Sequence, residues 1–134
     1  MPDLQSGNES SMRTIIAGSR TITDPKVIEE AVAASGFTIT EVVCGGAAGV
    51  DTLGKDWATL RGIPVKMFPA DWDTHGKAAG PIRNTQMAEY ADQAICIFDV
   101  QAENKGTKNM SKTAMNHGKR VFSHMTNFKT IVLE

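Results

Sequence analysis

Four short clusters carry the residues able to handle an anion or a sugar. The first is Gly18-Ser19-Arg20, a small turn with a hydroxyl and a guanidinium. A planar guanidinium can bond two phosphate oxygens at once. The second is Gly45-Gly46-Ala47-Ala48-Gly49-Val50-Asp51, which follows the apolar run Val42-Val43-Cys44. Glycines let the main chain approach a guest, and a following helix offers free N–H groups with a partial positive charge. A phosphate or a carboxylate suits such a phosphate-binding loop. Asp51, in the first helical turn, fits either a dipole-stabilising role or acceptance of ribose hydroxyls.

The third cluster is a long polar stretch from Pro69 to Gly80. Trp72 offers a face for stacking a base. Lys77 beside Gly76 and Gly80 suits an anion. His75 is a candidate acid–base group, and Asp71 and Asp73 are candidate carboxylates or turn caps. Pro81 then suits the start of a helix that puts Arg83 and Asn84 in its first turn. A cation there opposes the helix dipole, which points to a use elsewhere. The fourth cluster is Lys105-Gly106-Thr107-Lys108, with Thr107 placed to cap a helix. Neither the P-loop spacing nor the dinucleotide fingerprint is present. No His/Cys cluster has metal-ligand spacing, so neither a metal nor a cofactor is expected.

The elements that must position these clusters alternate. Strands are predicted over Met12–Ala17, Thr40–Cys44, Val65–Phe68, Gln93–Phe98 and Lys119–Ser123. Between them lie helices opening at Asp24-Pro25, at Val50, at Pro81 and at Lys108. Val50, Leu53, Trp57 and Leu60 repeat at three and four and give the second helix an apolar stripe. Met87, Tyr90 and Ala91 read as core. Ile131-Val132-Leu133 is a candidate edge strand. The β-α alternation predicts an α/β, Rossmann-like three-layer sandwich: a mainly parallel sheet of about five strands with helices on both faces. Ligands of such sheets bind outside the carboxyl ends of the strands. Every cluster above follows a strand, so all four should converge on one rim.

With 134 residues, 41% hydrophobic and 22% charged, the chain suits one globular domain, not a disordered one. Residues 12–134 are read as that domain and residues 1–11, polar and aperiodic, as a flexible leader, with Met1 and Met12 both open as the start. Net charge is −1, which argues against nucleic acid as a partner, since backbone binding needs a basic track. The cysteines Cys44 and Cys96 lie in apolar runs and read as buried thiols. With no membrane-length apolar run and no signal-peptide pattern, a cytoplasmic protein without a membrane partner is expected.

Taken together, the clusters resemble the SLOG superfamily and, within it, the small YspA-like (cpYpsA-related) proteins. The resemblance rests on Gly18-Ser19-Arg20, on Gly45 to Asp51 with Trp57, on Ala70-Asp71-Trp72 through Lys77, on Gly80-Pro81-Ile82-Arg83-Asn84 and on Gly106-Thr107. More distant relatives include the LOG phosphoribohydrolases, which cut the N-glycosidic bond of nucleoside monophosphates, and DprA. The resemblance implies a nucleotide or nucleotide-derived (NAD-type) ligand and a homo-oligomer. The binding set it implies is Gly18, Ser19, Arg20, Gly45, Gly46, Ala47, Gly49, Val50, Asp51, Trp72, His75, Lys77, Arg83, Asn84, Gly106 and Thr107. The LOG motif Arg-Lys-x-x-Met is similar to Arg83–Met87. Their Pro-Gly-Gly-x-Gly-Thr-x-x-Glu motif survives here only as Gly106-Thr107, with Met110 at the acidic position. A thioether cannot stabilise an oxocarbenium ion as a carboxylate does. Binding, as a sensor or sequestering domain, therefore ranks ahead of N-glycosidic hydrolysis, for which Asp51, Asp71 and Arg83 are the catalytic candidates. Single-stranded DNA binding as in DprA ranks third.

Overall fold

The computed structural model describes residues 11–127. The five strands are β1 (Arg13–Gly18), β2 (Glu41–Cys44), β3 (Val65–Met67), β4 (Gln93–Asp99) and β5 (Arg120–Thr126). All pair in parallel, in the order β3-β2-β1-β4-β5. Four helices connect them: α1 (Pro25–Ser35), α2 (Val50–Leu60), α3 (Ala79–Tyr90) and α4 (Lys105–Asn116). This is the expected Rossmann-like α/β fold. Strand order reverses between β1 and β4, and that switch point opens a crevice at the strands' carboxyl ends.

Period-2 alternation sends successive side chains to opposite faces of the sheet. Ile15, Val43 and Cys96 pack with Met87, Ala88, Met110 and Ala114 under α3 and α4. Their neighbours Ile16, Val42 and Ile95 pack with Val27, Ile28, Val50 and Ala58 under α1 and α2. Ile15 and Ile16 are fully buried, each contributing roughly 1.5–3 kcal/mol. Helix α1 starts as its sequence requires. The Asp24 side chain accepts from Lys26 N at 3.0 Å, and Pro25 occupies the first turn, where no intrahelical donor is needed.

The structure departs from the sequence reading in several places. Leu60 is 85% exposed, while Ala58, two residues earlier in α2, is fully buried. The stretch expected to be a long loop contains a single helical turn, Trp72–His75, and a 3-10 turn, Gly76–Ala78, that runs into α3 at Ala79. Pro81 is thus third in its helix, still among the residues whose N–H would lack a partner. Helix α4 begins at Lys105, not Lys108, so Thr107 lies inside its first turn. Strand β5 runs on to Thr126, paired with β4 throughout. The leader over residues 1–11, apart from Ser11, and the edge strand at Ile131–Leu133 lie outside the described residues. No described helix is long and apolar enough to cross a membrane.

Candidate functional site

Two adjoining clefts open at the carboxyl rim. The larger, about 780 Å³, is walled by the tip of β1, the start of α2, the Trp72–Pro81 segment, α3 and the N-terminus of α4. The smaller, about 360 Å³, lies between the glycine turn and the segment after β3. Arg20, Ala47, Trp72 and Arg83 belong to both walls.

The glycine turn is tied down from inside. Asp51 sits in the first turn of α2, and its Oδ2 accepts from Gly45 N at 3.2 Å and from Ala47 N at 3.3 Å. The anion held by these main-chain donors is therefore the protein's own carboxylate. The expectation that Gly45–Gly49 would cradle a phosphate is corrected to this extent: the Gly45 and Ala47 N–H groups are already engaged. Asp51 is 7% exposed. Burial pushes its carboxyl above the ordinary value, against the pull of the Ala47 and Gly45 N–H groups and of Arg83. The Val50 N–H, which would otherwise be an orphan of the helix start, donates to Ser19 O at 3.2 Å. This bond joins the β1 tip to the glycine turn.

Arg83 lies in the second turn of α3, since that helix begins at Ala79, so the expected opposition to the dipole is weaker than a first-turn position implies. Its role is structural as well as electrostatic. Nη1 donates to Gly45 O at 2.7 Å and to Phe68 O at 3.4 Å, and Nε donates to Asn84 Oδ1 at 3.0 Å. Asn84 Nδ2 in turn donates to Asn109 Oδ1 at 2.8 Å, linking α3 to α4. The guanidinium thereby holds the glycine turn to the exit of β3.

The N-terminus of α4 is open. No side chain among the described residues caps it, and helix geometry leaves the N–H groups of Lys105, Gly106 and Thr107 without intrahelical acceptors. The residue before it is Asn104, at φ 56°, a backbone region Asn tolerates. Asn104 is held there by three bonds: its Oδ1 accepts from Asp99 N, and its Nδ2 donates to Asp99 O and Ala102 O. The expected Thr107 cap is replaced by this clamp. Thr107, at 5% exposure, lines the larger cleft with Gly106 and Met110.

Of the expected binding residues, Gly18, Ser19, Arg20, Ala47, Asp51, Trp72, Lys77, Arg83, Asn84, Gly106 and Thr107 line the larger cleft, and Gly45 and Gly46 line the smaller one. Among the described residues, no side-chain hydrogen bond or ion pair engages Arg20, Lys77 or Lys105. Trp72 is 53% exposed, with its Cη2 close enough to Gly80 that a Cβ there would touch it at 3.6 Å. Three of these binding residues, and the catalytic candidate Asp71, line neither cleft. Val50 is fully buried, and Gly49 is packed against the backbone of Ser19 and Arg20. Asp71 is exposed and caps the turn after it, its Oδ1 accepting from Thr74 N at 3.1 Å. Hydrogen bonds from the Thr74 hydroxyl and then from its main-chain N–H hold the carboxyl below the ordinary value. His75 is exposed at the end of the same turn.

Sequence reasoning passed over Thr21, Asn104 and Asn109, all of which line the larger cleft with Lys105 of the fourth cluster, and Asp99 behind it. Asp99 ends β4, so the strand-tip rule that selected Arg20 and Asp51 was signal enough to find it.

The sequence profile described as YAcAr, the YspA, cpYpsA-related SLOG family, matches residues 12–75. The Gene 61 protein of Mycobacterium phage D29 is 32% identical over 115 residues, covering 79% of this chain and 90% of that protein. DNA processing protein A (DprA) from Streptococcus pneumoniae is similar in structure, with a TM-score of 0.63 at 19% identity over 84% of this chain. This chain spans about half of that one, 49%, and the likeness is one of fold.

Proposed function

The chain belongs to the YspA, cpYpsA-related SLOG family, and on that footing we propose that it binds a nucleotide or nucleotide-derived, NAD-type ligand at the carboxyl rim of its sheet, as a sensor or sequestering domain. The observation that carries this reading is the larger cleft. It brings the open N-terminus of α4 together with Arg20, Lys77 and Lys105, cations with no side-chain partner among the described residues, and with the exposed Trp72. Phosphate suits the helix N-terminus and these three cations. A base suits Trp72. Arg83 contributes charge while holding the turn between the two clefts.

The test is mass spectrometry of small molecules released from the purified, denatured protein, followed by calorimetry with AMP and NAD. A nucleotide among the released molecules, and micromolar or tighter affinity lost in Lys105→Ala with Arg20→Ala, supports the reading. No released nucleotide and no heat with either compound overturns it. Light scattering of the same sample reads the homo-oligomer that membership of the family suggests.

A second reading, N-glycosidic hydrolysis of a nucleotide, is favoured by one feature. Asp51 is a buried carboxyl in the cleft wall with its proton affinity raised by burial, as befits a general acid. Base released from nucleoside monophosphates or NAD by the wild type, and not by Asp51→Asn, would establish it. Single-stranded DNA is the weaker choice because the chain, at −1 net charge, has no overall basic excess. A salt-sensitive gel shift would bring it forward.

A further inference from the structure

Ser19, Thr21 and Asp99 form a chain of hydroxyls that ends on a buried carboxylate. Asp99 is 3% exposed. Its Oδ1 accepts from Gln101 N at 2.9 Å, and its Oδ2 accepts a short hydrogen bond from Thr21 Oγ1. Thr21 Oγ1 also meets Ser19 Oγ at 2.7 Å, and Thr21 N donates to Ser19 Oγ at 3.2 Å. Both hydroxyl residues line the larger cleft.

A hydroxyl has one proton to give and two lone pairs to offer. The Thr21 proton goes to the carboxylate, which can only accept. Ser19 must therefore be the donor in the Ser19–Thr21 bond. Both protons are thus used inward. Ser19 Oγ has one lone pair left after accepting from Thr21 N, and Thr21 Oγ1 has one left after accepting from Ser19. Toward a ligand this pair can only accept. Phosphate oxygens, which are acceptors themselves, find no donor here and meet the negative charge of Asp99 behind. Two adjacent hydroxyls find two acceptors, spaced as neighbouring hydroxyl oxygens are.

We propose that Ser19 and Thr21 are the acceptor pair for the vicinal hydroxyls of a ribose, with Asp99 as the positioning residue that fixes the direction of their protons. This rests on the nucleotide reading and sharpens it: Ser19 and Thr21 read the sugar, and the phosphate goes to the α4 N-terminus with Arg20, Lys77 and Lys105. The assignment makes the ligand a ribonucleotide with free 2′ and 3′ hydroxyls.

The test is calorimetry with AMP, 2′,3′-dideoxy-AMP and inorganic phosphate. The wild type is expected to prefer AMP over the dideoxy compound by about tenfold, in line with two ordinary hydrogen bonds. Ser19→Ala combined with Thr21→Val should bring that ratio near one while leaving phosphate affinity unchanged. Thr21→Ser, which keeps the hydroxyl, should restore it. Asp99→Asn is the sharper probe. Gln101 N–H keeps the amide oxygen on its own side, so the amide nitrogen must donate to Thr21; one hydroxyl proton still joins Ser19 to Thr21, and the other then turns toward the cleft. The ratio should fall and phosphate affinity should rise. A merely structural Asp99 would lower all three affinities together. Equal wild-type affinity for AMP and its dideoxy analogue overturns this assignment alone. No binding of either overturns the nucleotide reading and this assignment with it. Urea midpoints of each variant identify any loss that comes from unfolding, in which case the Thr21→Ser and wild-type ratios decide.

Discussion

Arg83 Nη1 donates to the carbonyl of Gly45 at 2.7 Å, and a Cβ built on Gly45 would fall 2.1 Å from that same nitrogen. The guanidinium occupies the space a side chain would need, so the glycine and the arginine specify one another. Gly45→Ala is expected to expel the guanidinium and lose its bond to the main chain. The cost should be about 1.5–3 kcal/mol, the range for a hydrogen bond to a charged group. Arg83→Ala should cost a similar amount. The double variant should cost little more than either single one, because the same contact is removed twice. Urea unfolding of all four proteins measures this, and additive losses would show that the two residues act independently.

Gly49 is a different case. It sits at φ 76°, in the half of backbone space that side chains avoid, and a Cβ there would lie 2.5 Å from the Ser19 carbonyl oxygen and from Arg20 Cα. These are main-chain atoms that cannot swing aside. Gly49→Ala is expected to cost about 3–5 kcal/mol, from backbone strain and overpacking together. Its urea midpoint should fall below that of Gly45→Ala. The reverse order would mean that the β1 tip yields easily.

Asp51 makes stability depend on pH with a definite sign. Burial raises its folded-state pKa above the ordinary 3.8, so the folded protein holds that proton more tightly than the unfolded chain does. The stabilisation from protonation is full below about 3.8 and is lost as pH rises through the raised folded value. Asp51→Asn keeps an oxygen to accept from Gly45 N and Ala47 N and carries no charge to desolvate. Relative to wild type it should gain stability as pH is raised from 3.5 to 7 (roughly the window between protonated and ionised carboxyl). Urea midpoints at both pH values decide; a gap that is constant or closes with rising pH would mean that the hydrogen bonds outweigh burial.

The order of elements, the parallel sheet and the convergence of strand tips on one rim were legible because hydrophobic periodicity and turn residues are local signals. Ile15 and Ile16 announce a strand buried on both faces without any knowledge of what covers them. The partner of each polar group was not legible. Asp51 closes on Gly45 and Ala47 within one turn, yet the residue types alone fit an external anion equally well. Arg83 reaches carbonyls 38 and 15 residues away in the chain, and only the packing of α3 against the sheet brings them together. The start of α4 was misplaced because Asn104, in a left-handed position that asparagine tolerates, stops the loop three residues before the Thr107 cap that composition suggests. Leu60 fits the helical stripe by spacing but falls past the edge of the surface that stripe covers.

The two thiols should be inert in the native protein. Burial pushes Cys44 up to about 11 and Cys96 up to about 12, and thiolate is the reactive form. At pH 8 neither should react with a disulfide reagent on the timescale of minutes, and both should react at once in urea. The rate should rise with pH only as unfolding permits. A fast native reaction of one thiol would point to Cys44, which contacts the Met67 sulfur at 3.2 Å at the edge of the smaller cleft.

Trp72 offers an optical reading of the site. The residue is 53% exposed in the cleft wall, while Trp57 lies on α2 under Arg61, whose Cζ is 4.8 Å from the ring centre, and lines neither cleft. AMP or NAD is therefore expected to quench the fluorescence of wild type and of Trp57→Phe, and to leave Trp72→Phe unchanged. Trp72→Ala should weaken nucleotide binding by about 1–3 kcal/mol, the range for stacking one base on an aromatic ring. Inorganic phosphate, which has no base, should bind the variant as it binds the wild type. If Trp72→Ala lowers phosphate affinity equally, the ring is shaping the Gly76–Pro81 segment and is not a platform for the base.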